Sequence, residues 1–210
     1  MEYQEKSEIF WKNSSDSHLA LPEFYQKKRQ YLAAIVEHLP VLKAGLDIGC
    51  GNGEYTAMML PKVERLVGYD ISPGLLEKAK ADFANEPRMN FHLADVSSIP
   101  EREHSFDLVL CMGVTSCVID DAKYRALIEQ IAQFSMDNAF VIMGDTLSHS
   151  QNLLLDDPGG YVAMYRSMEY YTGTLRQNGL ELVSEFKIMD SHGGQTANRL
   201  FLFWKPRRAD

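Results

Sequence analysis

The residues best equipped for chemistry sit in one run, Leu46-Asp47-Ile48-Gly49-Cys50-Gly51-Asn52-Gly53-Glu54. An apolar stretch enters three glycines at alternate positions, and a helical pattern leaves them through Leu60. Glycines there let backbone N–H groups approach a ligand with no Cβ in the way, and the helix N-terminus behind them adds partial positive charge. The spacing then selects the ligand. A dinucleotide loop reads G-x-G-x-x-G, its third glycine allowing close packing beside a pyrophosphate. Here that position is Glu54, whose carboxylate would repel a pyrophosphate, while Asp47 before the loop suits an amine or a cation. The run reads as a site for a ligand with a charged amino-acid end. Two further acids close the next apolar runs. Asp70 ends Leu66-Val67-Gly68-Tyr69 and can accept hydrogen bonds from both hydroxyls of a ribose; Asp95 ends Phe91-His92-Leu93-Ala94 and can accept from an exocyclic amine such as that of adenine. Taken singly, each acid reads more readily as a helix cap or a solvated loop residue. The series beside a glycine loop is far more specific, because open α/β sheets bind ligands at the carboxyl ends of their strands.

These residues need a scaffold that brings strand ends together. From about residue 22 onward, short apolar runs alternate with helix-period stretches. The runs 44–48, 65–69, 90–94, 107–112 and 139–143 read as parallel strands buried on both faces. Ser72-Pro73 marks a helix start continuing through Leu75 to Ala84, and Asp121 to Phe134 places Tyr124, Leu127, Ile128 and Ile131 on one stripe. The pattern predicts a doubly wound α/β domain. At the end, Glu181–Ile188 and Arg199–Trp204 are strand-like and joined by Asp190-Ser191-His192-Gly193-Gly194, too short for a crossover helix. They should be antiparallel neighbours, giving a mostly parallel sheet with one antiparallel strand from a C-terminal hairpin.

The chain of 210 residues carries 45% hydrophobic and 24% charged residues, so one globular domain is expected. Acidic residues outnumber basic ones 29 to 21, a formal charge of −8 that disfavours nucleic acid or an anionic membrane as partner. Cys50, Cys111 and Cys117 show no metal or disulfide spacing, the start lacks the order of a secretory signal, and no apolar run is long enough to span a bilayer. A cytoplasmic setting is expected. Residues 1–21 read as a flexible N-terminal segment or a lid carrying Ile9-Phe10-Trp11, and residues 22–210 as a single domain with a cap at about 145–175.

With the motifs in view, the sequence resembles the class I S-adenosylmethionine-dependent methyltransferases over roughly Ala33 to Trp204. The resemblance rests on Leu46 to Gly53, on Val67-Gly68-Tyr69-Asp70-Ile71-Ser72, on Ala94-Asp95-Val96 and on Ser105-Phe106-Asp107-Leu108-Val109, in the family's order and spacing. It implies a Rossmann-like seven-stranded sheet and S-adenosylmethionine as cofactor, with S-adenosylhomocysteine as product. It further implies that Asp47 and the loop of Gly49, Cys50, Gly51 and Gly53 hold the methionine end, and that Asp70 holds the ribose. Asp95 and the Val96 backbone would hold the adenine, flanked by Ile71. The backbone of Cys111-Met112-Gly113 would meet the cofactor's amino group.

The implied reaction is in-line attack by an acceptor atom on the sulfonium methyl, which mainly requires alignment and exclusion of water and demands no metal. A hydroxyl acceptor usually needs a general base. Asp145 and His149, after the fifth strand, are the candidates, and His192 in the last turn is a weaker one. Cys111-Met112-Gly113-Val114 stands where base-methylating enzymes often carry an Asn/Asp-Pro-Pro-aromatic block, which with the charge of −8 favours a small-molecule acceptor; oxygen is the acceptor atom expected. Methylation of nitrogen on a small molecule or protein side chain, and a non-catalytic binding module, are the alternatives. Tyr161, Tyr165, Met168, Thr172 and Leu175 are read as one helical face that lines an acceptor pocket or joins the core.

Overall fold

The computed structural model describes residues 2–207. In chain order the elements are α1 (Glu2–Lys12), α2 (Pro22–His38), β1 (Leu42–Ile48), α3 (Glu54–Met58), β2 (Val63–Asp70), α4 (Pro73–Asp82), β3 (Met89–Leu93), β4 (Phe106–Met112), α5 (Asp121–Phe134), β5 (Ser135–Ser148), β6 (Leu153–Asp156), β7 (Val162–Tyr165), α6 (Met168–Gln177), β8 (Glu181–Ser191) and β9 (Thr196–Trp204). Seven strands form one sheet in the order β3-β2-β1-β4-β5-β9-β8, with β6 and β7 as a separate hairpin. All pairings from β3 to β5 are parallel, whereas β9 runs antiparallel to both β5 and β8. The doubly wound sheet with one antiparallel strand is therefore as the sequence predicts.

Side-chain alternation along the strands builds two cores. Leu46, Ile48, Val109, Val141 and Met143 face Leu127, Ile128 and Ile131 of α5 and Leu175 of α6. Leu66, Leu108, Leu110 and Ile142 face the other way, onto Leu32, Ile35 and Val36 of α2 and Leu76 and Ala79 of α4. Local signals start the helices. Ser72 caps α4 by accepting a bond from the Leu75 amide (3.2 Å), with Pro73 at the first turn, and Asp120 caps α5 through the Lys123 amide (2.9 Å).

Three expectations need correction. β3 is not buried on both faces: it is the sheet edge, so only Met89 and Phe91 are buried while Asn90, His92 and Leu93 are exposed. The segment 145–148 is not cap but strand, because β5 runs on past its last β4 pairing at Gly144 and stays paired with β9 as far as Ser148–Thr196. Tyr161 and Tyr165 do not share a helical face with Met168, Thr172 and Leu175. Tyr165 ends β7 and Tyr161 immediately precedes it, and α6 starts only after Ser167, whose hydroxyl caps it through the Tyr170 amide. A spacing of four suits one side of a strand as well as one face of a helix, which is why the pattern alone misleads.

Residues 2–12, read as a tail or a lid, form α1 and are tied to the connection after β4. The Gln4 side-chain oxygen accepts from the amides of Ile119 (2.7 Å) and Asp120 (3.0 Å), and the Ser7 hydroxyl donates to the Cys117 carbonyl (2.8 Å). That same connection is clamped from the other side by Arg166, 2% exposed, whose guanidinium donates to the carbonyls of Thr115 and Val118 (2.8 Å each) and stacks on Tyr124. Replacing Arg166 by Met strands two buried acceptors. We expect the Arg166→Met protein to lose about 3 kcal/mol of stability in urea denaturation, since each unsatisfied buried group costs roughly 1–3 kcal/mol.

Candidate active site

The carboxyl ends of β1, β2, β4 and β5 open into one cavity of about 1330 Å³, larger than the roughly 300–1,000 Å³ of a site for a single small ligand. Its floor is the glycine loop. Gly49, Gly51 and Gly53 all have left-handed backbone (φ 74°, 54° and 80°), and a Cβ on Gly49 would fall 2.2 Å from Val114 Cγ2. The loop is pinned by β2 and by the turn that leads from β2 into α4. The amides of Gly49 and Cys50 donate to the Tyr69 carbonyl (2.7 and 3.0 Å), and the Gly51 amide donates to Asp70 Oδ2 (2.8 Å). The second Asp70 oxygen accepts from the Ser72 amide (2.8 Å), so one carboxylate joins the loop to the start of α4. Burial pushes the Asp70 carboxyl above its ordinary range, against the pull of these amide bonds.

Asp47 lies beneath the loop rather than on the cavity wall, 2% exposed. Its Oδ2 accepts from the Thr56 hydroxyl of α3 (2.5 Å), and its Oδ1 has no partner. Burial raises its pKa to about 7, with the Asp70 charge adding to the rise. Gly53 and Cys111 are likewise behind the wall, whereas Gly49, Cys50, Gly51, Asp70, Ile71, Asp95, Val96 and Met112 line it. Asp95 caps the short turn 96–98, accepting from the amide (2.9 Å) and hydroxyl (2.7 Å) of Ser97. Partial burial works to raise its pKa, but the Ser97 bonds outweigh it and the net shift is downward. Glu54, the residue that argues against a pyrophosphate, is bound by Arg29 of α2 (2.7 Å) and His18 (3.0 Å).

The acid–base candidates separate. Asp145 lines the cavity but is 4% exposed, and both its oxygens are engaged, Oδ1 by the Ser116 amide (3.2 Å) and Oδ2 by the Tyr171 hydroxyl (3.1 Å). Burial raises its pKa. His149 does not line the cavity; its Nε2 faces Asp190 Oδ1 at 3.6 Å, because the β5–β9 pairing carries its backbone past the site, where its amide bonds the Gln195 carbonyl. His192, the weaker candidate by sequence, does line it. Its Nδ1 lies 2.8 Å from Thr196 Oγ1, which also pairs with the Ser191 hydroxyl (2.7 Å), and its ring packs on Tyr165 at 4.9 Å.

One feature was not read from the sequence. Lys28 of α2 reaches the cavity, 7% exposed, with its ammonium over the rings of Tyr55 (4.7 Å) and Phe24 (5.7 Å). It sits in a Lys27-Lys28-Arg29 run that looks solvated, yet Phe24, Lys28, Leu32 and Ile35 fall on one helical stripe, and that spacing is the signal that finds it. Phe10 and Trp11, carried by the segment read as a tail or a lid, pack with Tyr161, ring centroids 5.3–6.2 Å apart, and line the same cavity as the glycine loop.

These residues fit S-adenosylmethionine. Asp47, one oxygen unpartnered, puts negative charge behind the loop where a cationic amino-acid end would lie, Asp70 on the wall matches a ribose, and the volume leaves room for an acceptor. Among the described residues no group of three or more His, Cys, Asp or Glu could hold a metal ion.

Residues 46–136 match a family described as a methyltransferase domain. The chain is similar to trans-aconitate 2-methyltransferase of Enterobacter sp. (strain 638), 30% identical over 113 residues that make up 52% of this chain and 42% of that protein. It is similar to the tRNA (carboxymethyluridine(34)-5-O)-methyltransferase of Saccharomyces cerevisiae, 30% identical over 96 residues, 44% of this chain and 33% of that one. The chain thus spans less than half the length of these curated relatives. In fold it is similar to the N-methyltransferase NodS from Bradyrhizobium japonicum WM9 in complex with S-adenosylhomocysteine, with a TM-score of 0.75 at 19% identity, covering 98% of this chain and 99% of that one.

The raised Asp47 carboxyl makes stability depend on pH in a defined direction. With a folded pKa of about 7 above the ordinary 3.8, the folded state holds the proton longer, so this group's contribution declines as pH rises from about 4 to about 7. Asp47→Asn keeps an acceptor for Thr56 and removes the titration. Its stability relative to the parent protein should therefore be greater at pH 8 than at pH 5, as read from urea midpoints at the two pH values.

Proposed function

We propose that the chain, whose residues 46–136 match a methyltransferase domain, is a class I S-adenosylmethionine-dependent methyltransferase that transfers the cofactor's methyl group to an oxygen of a small-molecule acceptor, with His192 as general base. The observation that carries this reading is the placement of an imidazole in the same cavity as the glycine loop, Asp70 and Asp95. The relatives' names include both oxygen and nitrogen methylation; the choice of oxygen rests on His192, because a hydroxyl needs a base and an amine has only to arrive deprotonated.

When bound, S-adenosylmethionine supplies a methyl group already activated by the positive charge on sulfur. The work left to the protein is holding, aligning and keeping water away. Asp70 accepts from the ribose hydroxyls with the lone pairs that Gly51 and Ser72 leave open, and Asp95 and the Val96 backbone receive the adenine beside Ile71. The backbone of Met112 and Gly113 meets the amino group. Asp145 is a positioning residue: its bonds to Ser116 and Tyr171 fix the turn 115–117 at the cavity wall. With Nδ1–H donated to Thr196 Oγ1, His192 would carry its lone pair on Nε2 and take the hydroxyl proton there as the oxygen–carbon bond forms and the methyl–sulfur bond breaks, S-adenosylhomocysteine being the leaving group. The α1 roof, with Phe10 and Trp11, excludes water. A small acceptor is consistent with the roofed cavity and the net charge of −8, and among the described residues no helix is long and apolar enough to cross a membrane.

Calorimetry with S-adenosylhomocysteine, and NAD as control, tests the cofactor: selective binding is expected, and its absence overturns the reading. Asp70→Ala removes a charged acceptor and should weaken that binding by about 1.5–3 kcal/mol; unchanged affinity would end the ribose assignment. For the base, transfer of labelled methyl to a panel of hydroxylated metabolites should slow by roughly 10²-fold or more in His192→Ala, with S-adenosylhomocysteine affinity intact. His149→Ala should match the parent in both assays.

A further inference from the structure

Four rings on the cavity wall, those of Phe10, Trp11, Tyr161 and Tyr165, lie outside residues 46–136, and none of them joins either core of the sheet. Phe10, Trp11 and Tyr161 stand edge-on to one another, with interplanar angles of 85°, 65° and 81°. The Tyr161 hydroxyl is hydrogen-bonded to that of Tyr165, whose ring packs on the His192 imidazole at 4.9 Å. The proposed base is therefore the end member of an aromatic cluster. Large rings kept on a cavity wall and out of the core mark a binding surface.

That surface is neutral. Burial pushes the Tyr161 and Tyr165 phenols up, so both stay protonated. Among the described residues the lysines and arginines of the cavity wall are Lys28, Lys123 and Arg199. Glu8 holds Lys123 (2.8 Å), Glu185 holds Arg199, and Lys28 packs on Phe24 and Tyr55. None of the three packs on the four rings, so an anionic acceptor finds no free cation there.

We propose that the acceptor is a neutral phenol, its ring packed against this aromatic wall and its hydroxyl the oxygen that is methylated. The assignment rests on the cavity being an oxygen methyltransferase site with His192 as base. The base favours the same class. A phenol such as that of tyrosine ionises at about 10, whereas an aliphatic hydroxyl lies close to water, at about 15.7. Imidazole is a weak base, so it assists a phenol far better than a sugar or another aliphatic alcohol. As the phenol oxygen bonds the methyl carbon, the methyl–sulfur bond breaks and the phenol proton passes to His192 Nε2. Aromatic pairs prefer offset or edge-on contact, and three mutually edge-on rings offer both to a further flat ring. A saturated ring of the same size fills the volume but gains no such directional contact.

The test is transfer from labelled S-adenosylmethionine by the full chain to four probes of one size: 2-naphthol, its saturated counterpart 2-decalol, 2-naphthoate and 2-naphthylmethylamine. 2-Naphthol should exceed 2-decalol and 2-naphthoate at least about 100-fold in kcat/KM. Trp11→Leu and Tyr161→Leu should each raise KM for 2-naphthol about tenfold, with kcat within about threefold. Their S-adenosylhomocysteine affinity, read by calorimetry, should stay within about twofold of the parent and so report intact folding. His192→Ala should methylate 4-nitrophenol, already ionised at pH 8, almost as fast as the parent, yet lose roughly 100-fold on 4-methylphenol. Equal transfer to 2-decalol, or an unchanged KM in both ring variants, would overturn the phenol assignment and leave the oxygen reading standing. Faster transfer to 2-naphthoate would overturn it in favour of an anionic acceptor, and equal losses on the two phenols would remove the argument from the base. Transfer to the amine alone would overturn the oxygen reading together with this assignment. Transfer to no probe while S-adenosylhomocysteine binds would overturn the assignment by itself, and failure to bind S-adenosylhomocysteine would overturn the cofactor reading with it.

Discussion

Asp47, Asp70 and Asp145 carry three carboxyl groups into the buried end of the sheet, and the surrounding structure is arranged to tolerate them. Burial raises the pKa of all three and lowers that of Lys28 facing them, so in each case the charged form is held at a disadvantage. The compensation is specific. Thr56 donates to Asp47, two backbone amides to Asp70, and an amide and a phenol to Asp145. All of those donors except the Tyr171 hydroxyl of α6 belong to elements that line the cavity: α3, the glycine loop, α4 and the turn 115–117. The acids therefore set the geometry of the site as well as its charge.

The same bonds make the cavity rigid on one side and assembled from remote pieces on the other. On the cofactor side, the loop, Asp70 and Asp95 lie between residues 47 and 98 and hang on consecutive parallel strands, so local sequence determines their geometry. On the far side, the wall is built from α1, the β6–β7 hairpin and the turn between β8 and β9. These meet only because β5 and β9 stay paired to Ser148 and Thr196, and because Arg166 and Gln4 tie the connection after β4 from opposite sides. A ligand bound here touches two halves whose positions have different physical origins.

That division also explains what could be read from the sequence. The parallel strands, the antiparallel C-terminal pair and the glycine loop were legible because each is announced locally, by apolar runs, by a turn too short for a crossover, and by glycines where φ is positive. The placement of Asp70 and Asp95 followed from parallel strands ending level with each other. His149 and Tyr161 were misplaced for a shared reason. Local pattern gives which residues lie on one side of an element, but not how far β5 extends or whether residues four apart sit on a strand or a helix. Lys28 was passed over because charge outweighed periodicity in reading a Lys-Lys-Arg run, although the apolar stripe through Phe24, Leu32 and Ile35 already placed it inward.

The residues proposed to handle the acceptor, His192 with Tyr165, Trp11 and Tyr161, all lie outside residues 46–136, where the family match is found. The matched region is the part that meets a constant ligand, and its chemistry is set by features that any acceptor would leave unchanged. On the proposed reading, selectivity for the acceptor depends instead on α1 and on residues 161–192, segments more than a hundred residues apart. A sequence match over the cofactor half can thus assign the reaction class and carry no information about the substrate. The proposed acceptor chemistry rests on the imidazole held between Thr196 and Tyr165, which only the folded chain brings into one cavity with the glycine loop.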